Sequence, residues 1–479
     1  MTGTQKIAFS TAKIYLSQFI GAGFRAITFI IMLNIMGSVF FGLFSLSIAT
    51  ALMIQLGTIG GTSWTINVFF SLEKENRQKA LTIVILAIAF LFSILIGLFV
   101  FFPVQISQII VGGEIVFLGT LLLFPIIAIR AAATSVLHGT SNFSYEALST
   151  VISSIVLGSM ILLLIQLSIL TLPLAFVIYV LSELIGFLIQ LLRLRKVVSL
   201  ELPTLDAIKE TVRYSKFSQS TTLMITLGRE GSLIFLGVIL SEVAVSSFNM
   251  ANILSSPLLY LGSAIAVVLV PFASKNQSIR KAIAGEGLKH LLIMGLVSTL
   301  LVWWLSPTIL PLLFIEYEGL IPLVNLTWLA ASIGAVSQAL RPLVYSMERF
   351  QDDLISIIIS TLTVFLTFLL LVGELGILAI AYAYLIKNST WSVAIFCLLR
   401  KQDVVESTSS LLKGLGFGMG GLGIFLVSVI FFVPFISGII SILILIVVGL
   451  VTGLIKEEFI FWRGIIMGNA QEDILDTSV

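Results

Sequence analysis

The sequence has one cysteine, Cys397, so no disulfide can form within the chain. Its two histidines, His138 and His290, have no cysteine or aspartate nearby, which argues against a metal centre. Charge is scarce: Asp, Glu, Lys and Arg make up 10% of the 479 residues, against about 25% in a soluble domain. The aspartates, Asp206, Asp352, Asp353, Asp403, Asp473 and Asp476, all fall between apolar runs or in the C-terminal tail. No polar stretch is long enough for a separate soluble domain, and no GxxxxGK[ST] phosphate loop occurs. These absences exclude an appended catalytic or ATP-hydrolysing domain, so any transport draws on a gradient or on the substrate's own concentration difference. The net charge of +2 gives no reason to expect nucleic acid as a partner.

What the chain does have is apolar length. Hydrophobic residues make up 58% of it, and the mean hydropathy is +1.15. A membrane helix needs about 20 predominantly apolar residues to cross the hydrocarbon core. Apolar runs between polar breaks predict helices near 14–36, 40–70, 81–102, 115–137, 145–168, 173–192, 217–240, 247–273, 288–306, 318–341, 354–372, 376–398, 411–433 and 436–455. The first run carries Arg25 and is longer than the core of a signal peptide, so it is expected to be retained. The expected class is an all-α integral membrane protein of about fourteen transmembrane helices.

Basic residues set the orientation, because short basic loops stay cytoplasmic. Four of the 26 basic residues, Arg25, Arg130, Arg229 and Lys387, lie well inside predicted spans; the other 22 fall in the tails, in the even-numbered loops or at the span ends that border those loops. The odd-numbered loops hold only Glu114, Glu242, Glu316, Glu318 and Glu374. Both termini are therefore expected in the cytoplasm, in a multi-pass protein of the cell membrane.

The chain also resembles itself. An ungapped offset of 204 residues pairs Arg25 with Arg229, Phe44 with Phe248, Ala80 with Ala284, Pro103 with Pro307 and Glu114 with Glu318. At 205, Tyr179 falls on Tyr384 and the closing Arg195-Lys196 on Arg400-Lys401. Expected domains are a six-helix half at 1–204, a second at 205–408, and a helix pair with its tail at 409–479. Six helices per half imply shared topology, halves related about an axis along the membrane normal, and a cavity between them.

The run GFRAITFIIMLNIMGSVFFGLFSLSIATALMIQLGTIGG (23–61) resembles the opening of polysaccharide-export flippases. The restart at 212–275, with its aromatic-plus-Ala segment at 248–251 and Pro271, is similar to the second half of that family, and GILAIAYAYLI (376–386) to the start of its twelfth helix. The family sits in a superfamily with multidrug and toxin extruders (MATE-like) and peptidoglycan lipid flippases, and the resemblance covers residues 7–455. It implies movement of a polyprenyl-(pyro)phosphate-linked oligosaccharide from the inner to the outer leaflet by alternating access, with no bond made or broken. It also implies membrane lipids as surroundings, and a polysaccharide polymerase and glycosyltransferases as partners. No cofactor is implied beyond Na+ or H+ coupling.

A charged side chain at mid-bilayer costs at least about 2.5–3.5 kcal/mol on insertion scales, so it faces a cavity or a partner. Arg25 and Arg229, near the middle of the first and seventh helices, are the expected phosphate contacts, since a planar guanidinium takes phosphate oxygens in pairs. The alternative is that each neutralises a buried carboxylate. Glu230 is expected to be a poor partner for its neighbour Arg229, because successive helical residues point about 100° apart; Glu183 is the expected better one. Lys387, beside Asn388, is either a third phosphate or sugar contact or an ion pair with Glu230 or Glu183. Arg130 is expected to snorkel toward the cytoplasmic interface, with gating as its sharper role. Glu183 and Glu230, the mid-span carboxylates, are candidates for ion coupling or for charge pairing.

Four cations against two carboxylates within the spans favour an anionic substrate. A drug exporter of the same superfamily would be expected to have an acidic cavity. A membrane-bound polymerase or glycosyltransferase would be expected to expose a sizeable catalytic loop, whereas these outer loops are short and lack Asp, His, Lys and Arg. Helix packing is expected at GLGFGMGGLG (414–423), with Gly414/Gly418 and Gly416/Gly420 at close-packing spacing. Helix bends are expected at Pro125, Pro257 and Pro342.

Overall fold

The computed structural model describes residues 3–401 apart from 59, 72, 104, 106–111, 141, 274–287, 315–318 and 348. The helices expected at 411–433 and 436–455, with the glycine run at 414–423, lie outside the described residues. Helices in chain order are α1 (Gly3–Met36), α2 (Ser38–Thr58), α3 (Gly60–Ser71), α4 (Arg77–Phe101), α5 (Gly113–Gly139), α6 (Phe143–Gln166) and α7 (Leu172–Leu194). There follow α8 (Leu205–Ile239), α9 (Glu242–Ala273), α10 (Leu288–Leu313), α11 (Leu320–Ser346), α12 (Phe350–Leu375) and α13 (Leu378–Lys401). Among the described residues, 10 helices are long and apolar enough to cross a membrane.

The apolar surface faces outward, as hydrocarbon demands. On α12 the exposed side chains Ile355, Ile359, Leu362, Leu366 and Leu370 recur every three to four residues and form one stripe, while Ser360, Thr361, Val364 and Phe368 on the other face are buried. On α7 the exposed Leu181, Leu184, Leu188 and Leu191 oppose buried Tyr179, Ser182, Glu183 and Gln190. This reverses the pattern of a soluble amphipathic helix.

Helices α2 and α3 fall within the span expected at 40–70. The side-chain amide of Gln219 in α8 donates to the Leu56 carbonyl of α2. A single residue, Gly37 at φ 82°, links α1 to α2 in a backbone region that glycine enters without strain.

Two compact units are present. One comprises Leu16–Ile253 with Ile357–Ala383. Within it α5 packs on α2, α3, α4 and α7, α6 packs on α7, and α3 packs on α8. A cluster of Phe29, Phe41, Phe44, Phe176 and Tyr179 fills its centre, with Phe44 stacked on Phe176 at 5.5 Å. The Asn249 amide donates to the Ser45 hydroxyl at 2.8 Å, and these positions are 204 residues apart. The other unit includes Leu254–Ser356 and the described residues from Tyr384 onward. In it α10 and α11 are joined by polar contacts: Trp303 Nε1 donates to the Asn325 carbonyl at 3.0 Å, and the hydroxyls of Thr299 and Ser332 lie 2.8 Å apart. The Asn388 amide of α13 donates to the Ala330 carbonyl at 2.7 Å.

At Gly42 α2 lies close against α9: a Cβ there would collide with the carbonyl oxygen of Glu242. Gly42→Ala is expected to lower the thermal midpoint of the detergent-solubilised protein, at a cost of about 1–3 kcal/mol for overpacking. Gly23→Ala, where a Cβ meets nothing within 4 Å, is expected to leave the midpoint unchanged. An unchanged midpoint in both variants would refute this close approach.

Candidate functional site

Two arginines of the first unit, Arg25 and Arg130, meet on one carboxylate. Glu183 lies on the buried face of α7, where it recurs with Gly186 and Gln190 at three- and four-residue intervals. Its Oε1 accepts from Arg25 Nη2 of α1 at 2.8 Å, and its Oε2 accepts from Arg130 Nη1 of α5. Two serines of α6 complete the arrangement: Arg25 Nε donates to Ser154 Oγ and Arg130 Nη2 to Ser153 Oγ, both at 3.1 Å. Gly186 makes room for the second guanidinium, because a Cβ there would lie 2.7 Å from Arg130 Cζ. The side chain of Arg25 is 28% exposed, whereas those of Arg130 and Glu183 are 10% and 7% exposed. Two cations on one anion leave the cluster with a net charge of +1.

Two expectations fail here. Arg130 does not snorkel: it is buried and engaged by Glu183 and Ser153. Helical side chains lean toward the helix N-terminus, so Arg130 leans away from the C-terminal end it was expected to reach. Glu183 pairs with Arg25 and Arg130, leaving Arg229 to the neighbour dismissed as a poor partner, with Arg229 Nε 2.6 Å from Glu230 Oε1. The reason is local. Residues Leu227–Gly231 form a π turn inside α8, and that wider turn reduces the angle between successive side chains. Such single π turns occur often at functional sites. Glu230 is buried, while the side chain of Arg229 is 57% exposed. Thr361 Oγ1 of α12 donates to the Met224 carbonyl just before the π turn at 3.0 Å.

Below Glu183, the buried face of α7 continues the polar track. Gln190 Nε2 donates to Thr134 Oγ1 at 3.0 Å and Ser149 Oγ at 3.1 Å, and Arg193 Nε donates to Asn142 Oδ1 at 2.8 Å. His138 Nε2 of α5 contacts Glu146 Oε2 of α6 across the turn between those helices. The side chain of His290 lies outside the described residues. The serines at 149, 153 and 154 were legible in the sequence only as polar interruptions of an apolar run, and nothing there tied them to arginines on other helices.

In the second unit Lys387 is buried on α13, its ammonium 5.1 Å from the Tyr384 ring centroid. Asp353, placed by sequence in a loop, belongs to the first turn of α12 and is fully buried, with Oδ2 accepting from Arg341 Nε at 3.0 Å. The guanidinium explains how a carboxylate tolerates that burial.

The fold of this multi-pass helical chain is found among solved structures. The chain resembles the lipid II flippase MurJ in an inward closed conformation, with a TM-score of 0.73 and 15% identity over 93% of this chain and 99% of that one. It resembles the MATE multidrug transporter DinF-BH with a TM-score of 0.64 and 14% identity over 85% and 97%. A variant of the Vibrio cholerae MATE transporter VcmN gives 0.61 and 14% over 85% and 100%. At these identities the likeness is one of fold. The family model described as polysaccharide biosynthesis protein matches residues 8–277, more than half of the chain, and the chain belongs to that family. No curated protein matches the sequence significantly.

Removing Glu183 leaves the buried Arg130 and the half-buried Arg25 with no anion between them, whereas removing Arg25 leaves the Arg130–Glu183 pair intact. Glu183→Ala is therefore expected to destabilise the protein by about 3–5 kcal/mol, and Arg25→Ala by much less. Reversible unfolding in mixed micelles checks the order, and equal losses would contradict the shared-carboxylate arrangement.

Proposed function

We propose that the protein is a flippase that carries a polyprenyl-(pyro)phosphate-linked oligosaccharide from the cytoplasmic to the outer leaflet by alternating access, for cell-surface glycan assembly. The observation that carries this reading is the buried Arg25–Glu183–Arg130 cluster, which holds net positive charge at the middle of membrane helices in a chain of the polysaccharide biosynthesis family. A buried excess of cation attracts anions from water and from headgroups, and the phosphate link is the anion every such lipid shares.

In this reading Arg25 and Arg229 contact the phosphates. Both side chains retain exposure. Lys387 is a further phosphate or sugar contact, and Arg130 has the supporting part argued below. Glu183 and Glu230 are both engaged by arginines, which favours charge pairing over Na+ or H+ coupling. The hydrogen bond between Ser45 and Asn249, one repeat offset apart, supports a duplicated six-helix plan. Both termini lie in the cytoplasm, and the glycosyltransferases that build the oligosaccharide and the polymerase that consumes it are the functional partners.

Reconstitution in liposomes carrying a labelled polyprenyl-pyrophosphate oligosaccharide tests the proposal. Leaflet exchange is expected to require the protein and to fall roughly tenfold or more in Arg25→Ala and in Arg229→Ala, the loss corresponding to one charge-assisted hydrogen bond to phosphate. Absence of exchange for every lipid tried, together with efflux of a cationic dye, would move the protein to the drug-exporter branch.

A further inference from the structure

We propose that Glu183 is an internal stand-in for the substrate's phosphate and that Arg130 is the positioning residue that lets Arg25 leave it. The inference rests on the flippase reading and concerns why one carboxylate should hold two guanidiniums.

A buried Arg–Glu pair with nothing else around it is a trap. If the arginine departs for a ligand, a bare carboxylate stays behind in low dielectric, and breaking such pairs is strongly unfavourable. Arg130 removes that obstacle. It occupies Glu183 Oε2, while Arg25 occupies Oε1. When Arg25 turns to a phosphate, Glu183 remains neutralised by Arg130, and no uncompensated charge is created on either side of the exchange.

The two arginines are also built for different parts. Arg130 is 10% exposed, bonded to Ser153, and seated against Gly186, where even one methyl group would collide with it. It is packed against α7 on that side. Arg25 is 28% exposed and reaches from α1 to Ser154 of α6 and Glu183 of α7. Without ligand the cluster carries one net positive charge, which a single phosphate negative charge cancels. The arrangement therefore selects a phosphate-bearing lipid and gives its binding a competitor of matching chemistry inside the protein.

The test is calorimetric binding of farnesyl pyrophosphate to the full chain in micelles, alongside thermal stability. Wild type is expected to bind, and Arg25→Ala to lose binding; no binding by wild type would overturn both the exchange and the flippase reading. Given binding, Arg130→Gln is expected to weaken affinity roughly tenfold or more although Arg25 is untouched, because the remaining pair now holds Arg25 in place. Glu183→Gln is expected to bind more tightly than wild type while melting at a lower temperature, and the double variant to recover wild-type affinity. A residue that served only the fold would move stability and affinity in the same direction. Wild-type affinity in Arg130→Gln, or weakened affinity in Glu183→Gln, would overturn the exchange and leave the flippase reading standing. Glu183→Gln decides the matter alone should Arg130→Gln not fold.

Discussion

A carboxylate held between two guanidiniums is the constraint around which the first unit is arranged. In hydrocarbon none of the three charges can be left alone, so α1, α5 and α7 must approach until Arg25, Arg130 and Glu183 touch. The small residues nearby permit that approach. A Cβ on Gly21 of α1 would crowd Thr150 of α6 at 2.9 Å, and one on Gly158 of α6 would lie 2.9 Å from Thr28 Oγ1. The helices that carry the charges are thus drawn together by electrostatics and admitted by glycine.

Several hydroxyl groups are handled within their own helices. Ser45, Ser47, Thr120, Ser154 and Thr221 each donate to the carbonyl four residues earlier, which satisfies a hydroxyl without any partner helix. Such residues are tolerated in lipid because the need for a hydrogen bond is met before packing begins. Charged groups cannot be satisfied this way, since an arginine offers five donors and finds no anion in its own backbone. The exception is instructive: Arg229 meets Glu230 in the same helix only because the π turn at Leu227–Gly231 changes the local pitch.

The fold is shared with a lipid flippase and with multidrug transporters, and a fold alone does not assign a function. In this chain an arginine on α1 and another on α5 meet a glutamate of α7, two cations on one anion. The same scaffold with a carboxylate excess would suit a cation.

Much of the protein was written in its residues. Apolar runs with basic breaks determine a multi-pass helical membrane protein, because crossing hydrocarbon imposes a length and a composition on each helix that nothing else requires. The sequence also singled out Arg25, Arg130, Glu183, Arg229, Glu230 and Lys387, since intramembrane charge is rare enough to stand out by itself. It did not determine who pairs with whom. Glu183 lies 158 residues from Arg25 and 53 from Arg130, and no local period carries information over that distance. The π turn and the buried place of Asp353 were likewise decided in three dimensions, where a neighbouring helix supplies the hydrogen bond or the counter-charge that the local sequence lacks.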